Sequence, residues 1–183
     1  MLLLLLSLLL LSLRLLSTTL AISPVEPSTK IKLPSSLNDL PLLSTGVRRK
    51  GPIKVYAIGL YSEPSSTKTI RLSTGGTGTR TFLLETNLSL SASKMSSTLI
   101  SSLKTRFVGS SSKLQELSGA IIAGCNGAAP KSTTMQFECI HDAIGVAVNG
   151  KKVGVIKSKG IGAAFTDIYT DEKAVTNLLE NLK

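Results

Sequence analysis

Residues 53–61 read Ile-Lys-Val-Tyr-Ala-Ile-Gly-Leu-Tyr, and no other stretch constrains the fold as much. Ile53, Val55, Ala57, Gly59 and Tyr61 share one side of an extended chain, and Tyr56, Ile58 and Leu60 make up most of the other. A strand that is apolar on both sides must be covered on both, so it belongs inside a sheet. Residues 81–86 read as a second strand, and residues 135–140, 144–148 and 152–156 alternate in the same way. Asn149-Gly150 between the last two is the residue pair that a type I′ hairpin turn requires, because both positions need positive φ. A weaker strand is expected at residues 69–72, between Pro64-Ser65-Ser66 and a loop at residues 73–79 that contains Gly75, Gly76 and Gly78. Those glycines do not form a phosphate cradle, since no Lys-Ser/Thr follows and no strand-loop-helix context surrounds them.

From Ser91 onward the period changes. Met95, Leu99, Leu103 and Phe107 recur every four residues with Ser, Thr and Lys between them, which predicts an amphipathic helix lying on the sheet, with Ser91 or Ser93 as N-cap. A shorter helix is predicted at residues 113–122, with Leu114, Leu117 and Ile121 inward. Two more are predicted at residues 161–169 and 171–182, the last with Val175, Leu178, Leu179 and Leu182 on one side. About five strands and four helices, with hairpin-linked strands, predict an α+β fold on an antiparallel sheet.

The N-terminus is of another kind. Residues 1–13 are Met and Leu with only Ser7 and Ser12 between, too short to span a bilayer comfortably but suited to a signal-peptide core. A Ser/Thr/Pro-rich stretch follows Arg14, with Glu26 its single acid, the acid-poor composition of a transit peptide. Residues 1–33 are therefore read as an address, secretory entry followed by an organelle, and residues 34–183 as one domain. Secretion, retention in the endoplasmic reticulum and a retained N-terminal membrane anchor are the alternatives. Removing Arg14, Lys30, Lys32 and Glu26 from 21 bases and 11 acids leaves 18 and 10, an excess of +8. Those bases are scattered, with only Arg48-Arg49-Lys50, Lys151-Lys152 and the Lys157 and Lys159 pair in short groups, and no aromatics interleave with them. A nucleic-acid platform is not indicated.

Chemical signatures are sparse. Cys125 and Cys139 are the only cysteines, and His141 is the only histidine, so neither a disulfide framework nor a metal cluster is expected. His141-Asp142 falls at a bend between strands without a nucleophile motif nearby, and reads as a turn pair. Glu85, Glu116 and Glu138 fall on solvent-facing positions. Asn87-Leu88-Ser89 is a glycosylation acceptor only if the chain stays in the secretory pathway.

Gly46-Val47-Arg48 followed by the 53–61 strand resembles the chalcone isomerase superfamily. Three further blocks support the likeness: the segment 83–106 ending in Leu103-Lys104-Thr105-Arg106, the hairpin 145–156, and Ala163-Ala164-Phe165-Thr166-Asp167-Ile168-Tyr169 followed by Ala174-Val175. The resemblance covers residues 44–183. It implies an open-faced β-sandwich, an antiparallel sheet with a helical layer on one face and a ligand cleft between them.

The superfamily holds isomerases, isomerase-like proteins without catalysis, and plastid fatty-acid-binding proteins. Isomerases are expected to carry Thr where this chain has Tyr56 and Ser or Thr where it has Ile168, and their Tyr and Asn on the intermediate helix have no counterpart between Arg106 and Ala123. Arg48 and Tyr56 instead resemble the Arg/Tyr pair with which the fatty-acid-binding branch holds a carboxylate, with Arg49 the alternative to Arg48 in register. A guanidinium forks to both carboxylate oxygens, and a phenol adds a donor from an apolar wall. The expectation is non-catalytic binding of a fatty acid or similar lipid carboxylate, in a plastid reached by a secretory-type signal, with no catalytic residue, metal or cofactor. A chalcone-flavanone isomerase-type intramolecular lyase acting on a polyketide-like ligand, with Arg48 as electrophilic support, is the alternative. Leu99, Leu103, Phe107, Ile161 and Phe165 are the apolar residues available to line a cleft, although such helix faces are core by default.

Overall fold

In the computed structural model, residues 24–64 and 78–182 are described. Seven strands form one antiparallel sheet in the order β1-β2-β3-β4-β7-β8-β9. They are β1 (Ser36–Leu37), β2 (Leu40–Lys50), β3 (Ile53–Tyr61), β4 (Arg80–Thr86), β7 (Thr134–Ile140), β8 (Ala143–Val148) and β9 (Lys151–Lys157). Two short strands, β5 (Leu90–Ser91) and β6 (Ala128–Ala129), pair separately. Three helices complete the described residues: α1 (Ala92–Lys104), α2 (Ser111–Cys125) and α3 (Ile161–Thr170). The α+β class with a helical layer on an antiparallel sheet is as expected.

β3 lies between β2 and β4, as its two apolar sides demand. Tyr56, Ile58 and Leu60 enter the main core beneath the helices, together with Phe82, Met95, Leu117, Phe137 and Phe165. Ala57 and Tyr61 enter a second, smaller core on the opposite side. Asn149 and Gly150 turn between β8 and β9 with φ of 48° and 76°, the left-handed pair of a type I′ turn. Ser91 caps α1, its side chain accepting a hydrogen bond from the Lys94 amide at 3.2 Å, and Ser110 caps α2 in the same manner.

The structure departs from the sequence reading in three places. The 171–182 segment is not a helix: it runs beside β2 in turns, bridging to it at Arg48 and Thr176. The Val47 amide donates to the Asn177 side chain, the Ser44 hydroxyl to the Leu178 carbonyl, and the Asn181 amide nitrogen to the Thr45 carbonyl. Covering the exposed edge of β2 and burying Leu178 and Leu182 satisfies both the backbone and the apolar side chains, and overrides the helical period. Second, β2 itself, eleven residues long, was not anticipated as a strand, because its Ser-Thr-Gly centre has little strand propensity. Third, part of the segment read as an address is folded. Val25 pairs with Lys32, Ile31 and Leu33 join the second core, and the Tyr61 hydroxyl donates to the Pro34 carbonyl at 2.9 Å. Glu26, fully buried, accepts hydrogen bonds from Ser28 and Thr29 and shapes this turn.

The rest of the N-terminal segment, the weak strand at 69–72, and Gly75 and Gly76 lie outside the described residues. No described helix is long and apolar enough to cross a membrane.

Candidate functional site

The β2–β3 hairpin turns at Gly51 with φ of 57°, and its register sets Arg48 directly across from Tyr56. The register then shifts, so that Arg49 faces Lys54 and reaches the exposed Ser28 hydroxyl. Of the two arginines expected to compete for this place, Arg48 is therefore the one beside the tyrosine. Opposite residues of an antiparallel pair share a face, so both side chains project toward the helices.

Tyr56 is 1% exposed, and its hydroxyl lies 3.3 Å from that of Tyr169 on α3. Burial pushes its phenol up to about 12, against the pull of the Tyr169 hydrogen bond and the Arg48 charge. Burial raises the Tyr169 phenol further still, and Tyr56 adds to that rise. Both rings thus stay neutral hydrogen-bonding groups at physiological pH. Sequence reasoning named Arg48 and Tyr56 but not Tyr169, although Tyr169 closes the same block that carries Phe165 and Ile168. One Arg48 nitrogen donates to the Val175 carbonyl at 3.0 Å, which ties the guanidinium to the C-terminal segment.

Arg48 also lines a cleft of about 640 Å³ between the hairpin, α1 and the segment after α3. Val55 and Leu90 supply apolar wall, and Lys50, Lys94, Arg106 and Lys173 bring further cationic groups. Arg106 is already committed: it forks to Asp171 at 2.7 and 2.9 Å and donates to the Ser102 and Lys173 carbonyls. That fork fastens the end of α1 to the end of α3. The apolar residues expected as cleft lining are core instead. Leu103, Ile161 and Phe165 are fully buried, and Leu99 and Phe107 nearly so, because the helix faces they occupy are pressed against the sheet.

The remaining sequence candidates are structural. Asp142 accepts a hydrogen bond from the Gly160 amide, and the His141 carbonyl accepts from the Gly162 and Ala163 amides, so this turn caps α3. Both cysteines are buried, with their thiols pushed up by burial, and no group able to hold a metal occurs among the described residues. The Asn87 side-chain amide donates to the Lys54 carbonyl at 3.1 Å. Glu116 pairs with Lys113, and Glu138 accepts from Asn38 and Gln136.

Comparison with known families matches residues 21–182 to the family described as chalcone isomerase-like. The chain belongs to the chalcone isomerase-like family. Among solved structures it is similar to a fatty-acid-binding protein of Arabidopsis thaliana, with a TM-score of 0.74 and 23% identity over 86% of this chain and 94% of that one. At that identity the likeness establishes the chalcone isomerase-type fold. No curated protein matches the sequence. The family match starts ahead of the packed turn at Glu26, in keeping with residues 24–33 belonging to the folded chalcone isomerase-like unit.

Proposed function

We propose that this chalcone isomerase-like chain binds a fatty acid or similar lipid carboxylate without catalysis, through Arg48 and Tyr56. The observation that carries the reading is the β2–β3 register: it brings a guanidinium with free donors to the rim of a cleft, directly across from a buried neutral phenol. Arg48 spends one nitrogen on Val175 and keeps the rest for a carboxylate, which two parallel hydrogen bonds would hold. The carboxylate enters beside Arg48; Tyr56 does not line the cleft and is buried behind it, so its hydroxyl joins only by exchanging its contact with Tyr169 for one with the ligand. A solved structure of this fold from a protein named for fatty-acid binding supports a lipid as the ligand class.

One side chain favours binding over cyclisation: where isomerases are expected to place a hydroxyl on the ketone that becomes an enolate, this chain has the fully buried Ile168. Native mass spectrometry of the purified protein is expected to find a stoichiometric fatty acid that is lost in Arg48→Ala, while Tm moves by only a few degrees. Retention of the acid by Arg48→Ala would overturn the pair. Cyclisation of a chalcone by the wild type, abolished by the same substitution, would install the isomerase reading in its place.

We further propose a plastid destination by way of a secretory-type signal. Burial of Ile31 and Leu33 in the second core supports cleavage of that signal ahead of Pro24 rather than at residue 33. A C-terminal fluorescent fusion tests the destination, and N-terminal sequencing of the mature chain tests the boundary.

A further inference from the structure

The cleft at Arg48 holds more positive charge than one carboxylate needs. Lys50 and Arg48 arrive from β2, Lys94 from the first turn of α1, and Lys173 from the segment after α3. Arg106, the fifth cation, is neutralised by Asp171. Lys50, Lys94 and Lys173 have no carboxylate within 4.0 Å among the described residues, and no acidic side chain lines the cleft.

Of the five hydroxyls along the cleft, only that of Ser101 is left to donate to a ligand. Ser97 and Thr98 donate to the Lys94 carbonyl, Ser102 to the Thr98 carbonyl, and Thr105 to the Ser102 carbonyl, so their protons are turned into α1. Recognition of an anion here falls to the cations. Three elements converge on it, which suits a group with acceptor oxygens in several directions.

We propose that the cleft takes an acylated phosphate monoester, a lipid with a dianionic headgroup, in preference to a plain fatty acid. This rests on the lipid-binding reading of the same cleft. A carboxylate has one charge and two coplanar oxygens, and the Arg48 fork with the Tyr56 phenol satisfies it without any lysine. A phosphate monoester carries close to two charges at neutral pH and three terminal oxygens, and Lys50, Lys94 and Lys173 supply point-charge donors from separate directions. Val55 and Leu90 provide apolar wall for the start of an acyl chain, and a cleft of about 640 Å³ accommodates a headgroup with part of that chain.

The test titrates the full chain calorimetrically with three probes at low salt: oleate, 1-oleoyl lysophosphatidate and glycerol 3-phosphate. The expected result is lysophosphatidate about tenfold tighter than oleate, with the gap closing as salt rises. The triple variant Lys50→Gln, Lys94→Gln, Lys173→Gln is expected to bring lysophosphatidate down to the affinity of oleate and leave oleate within about twofold. Equal affinities for both lipids in the wild type would overturn the phosphate preference and leave the lipid-binding reading standing. A preference that survives the triple variant would overturn its assignment to this cleft. Glycerol 3-phosphate binding as tightly as lysophosphatidate would replace the lipid with a soluble phosphate ester. Saturable binding of none of the probes would remove the lipid-binding reading and this inference together.

Discussion

The two ends of α3 are held by different physics. At its start, backbone meets backbone. The His141 carbonyl takes the amides of Gly162 and Ala163, and a Cβ placed on Gly162 would lie 1.7 Å from the Ile140 carbonyl oxygen. At its end, side chains make the contacts: Tyr169 touches Tyr56, Asp171 takes the Arg106 fork, and just beyond it the Arg48 side chain donates to the Val175 carbonyl. Between the two, Phe165 packs on Phe82, Phe137 and Tyr169. A start with no slack fixes where Tyr169 stands, and the polar end rests on side-chain contacts that have more freedom to rearrange.

The contrast breaks first at Gly162. Its φ does not require glycine, but its closeness to Ile140 and Ala143 does, since no rotamer relieves a clash between Cβ and two carbonyl oxygens. Gly162→Ala is expected to lose about 4–5 kcal/mol in denaturant unfolding, enough to prevent folding of a marginal domain. A loss below about 1 kcal/mol would mean that the start of α3 has the slack denied to it here.

The polar end gives a smaller effect, visible in alkali. All three tyrosines, Tyr56, Tyr61 and Tyr169, are buried with their phenols pushed up. A raised folded value means stability that is complete below the unfolded value and is lost as pH climbs through the folded one. For Tyr56, pushed up to about 12, the window runs from the ordinary value of 10.0 to that figure. The loss across it is on the order of 2–3 kcal/mol. Phenolate absorbance is expected to rise together with the loss of far-ultraviolet circular dichroism, as one step. One tyrosine ionising near pH 10 ahead of unfolding, in the wild type and in Tyr61→Phe alike, would show that the Tyr56–Tyr169 pair is open to water, and would sharpen the contrast by placing a gap at the polar end.

The same division governs what could be read before the structure. Elements held by local rules were legible: the doubly apolar β3, the Asn149-Gly150 turn, and the fourfold spacing of α1 with its Ser91 cap. Elements defined by a distant partner were not. Residues 171–182 carry a helical period, yet the Asn177 and Asn181 side chains and the Leu178 carbonyl tie them to β2, more than a hundred residues earlier. Residues 24–33 have the composition of an address, and only the exposed underside of β3 and β4 explains why Ile31 and Leu33 pack there. At the site, resemblance and register brought out Arg48 and Tyr56. Tyr169 was missed because its hydroxyl gains meaning only once α3 crosses the sheet, and the cleft cations because Lys50, Lys94 and Lys173 form no run in sequence.

The smallest effect belongs to the other end again, at Asp142. The Gly160 amide donates to its carboxylate at 2.7 Å and the His141 ring lies against it, and both hold its proton affinity below the ordinary carboxylate value of 3.8. A lowered folded value gives stability that is present above the unfolded one and disappears as pH falls through the folded one. Wild-type Tm is therefore expected to decline below about pH 4 more steeply than that of Asp142→Asn, and the two curves to converge in strong acid. Because the carboxylate is exposed, solvent screening keeps the gap at neutral pH to a degree or so and shrinks it further with salt. A gap that persists unchanged in acid would assign the role of Asp142 to the shape of the turn rather than its charge. The start of α3 would then owe nothing to charge, and the turn's geometry, with Gly162 and the His141 carbonyl, would hold it at any pH.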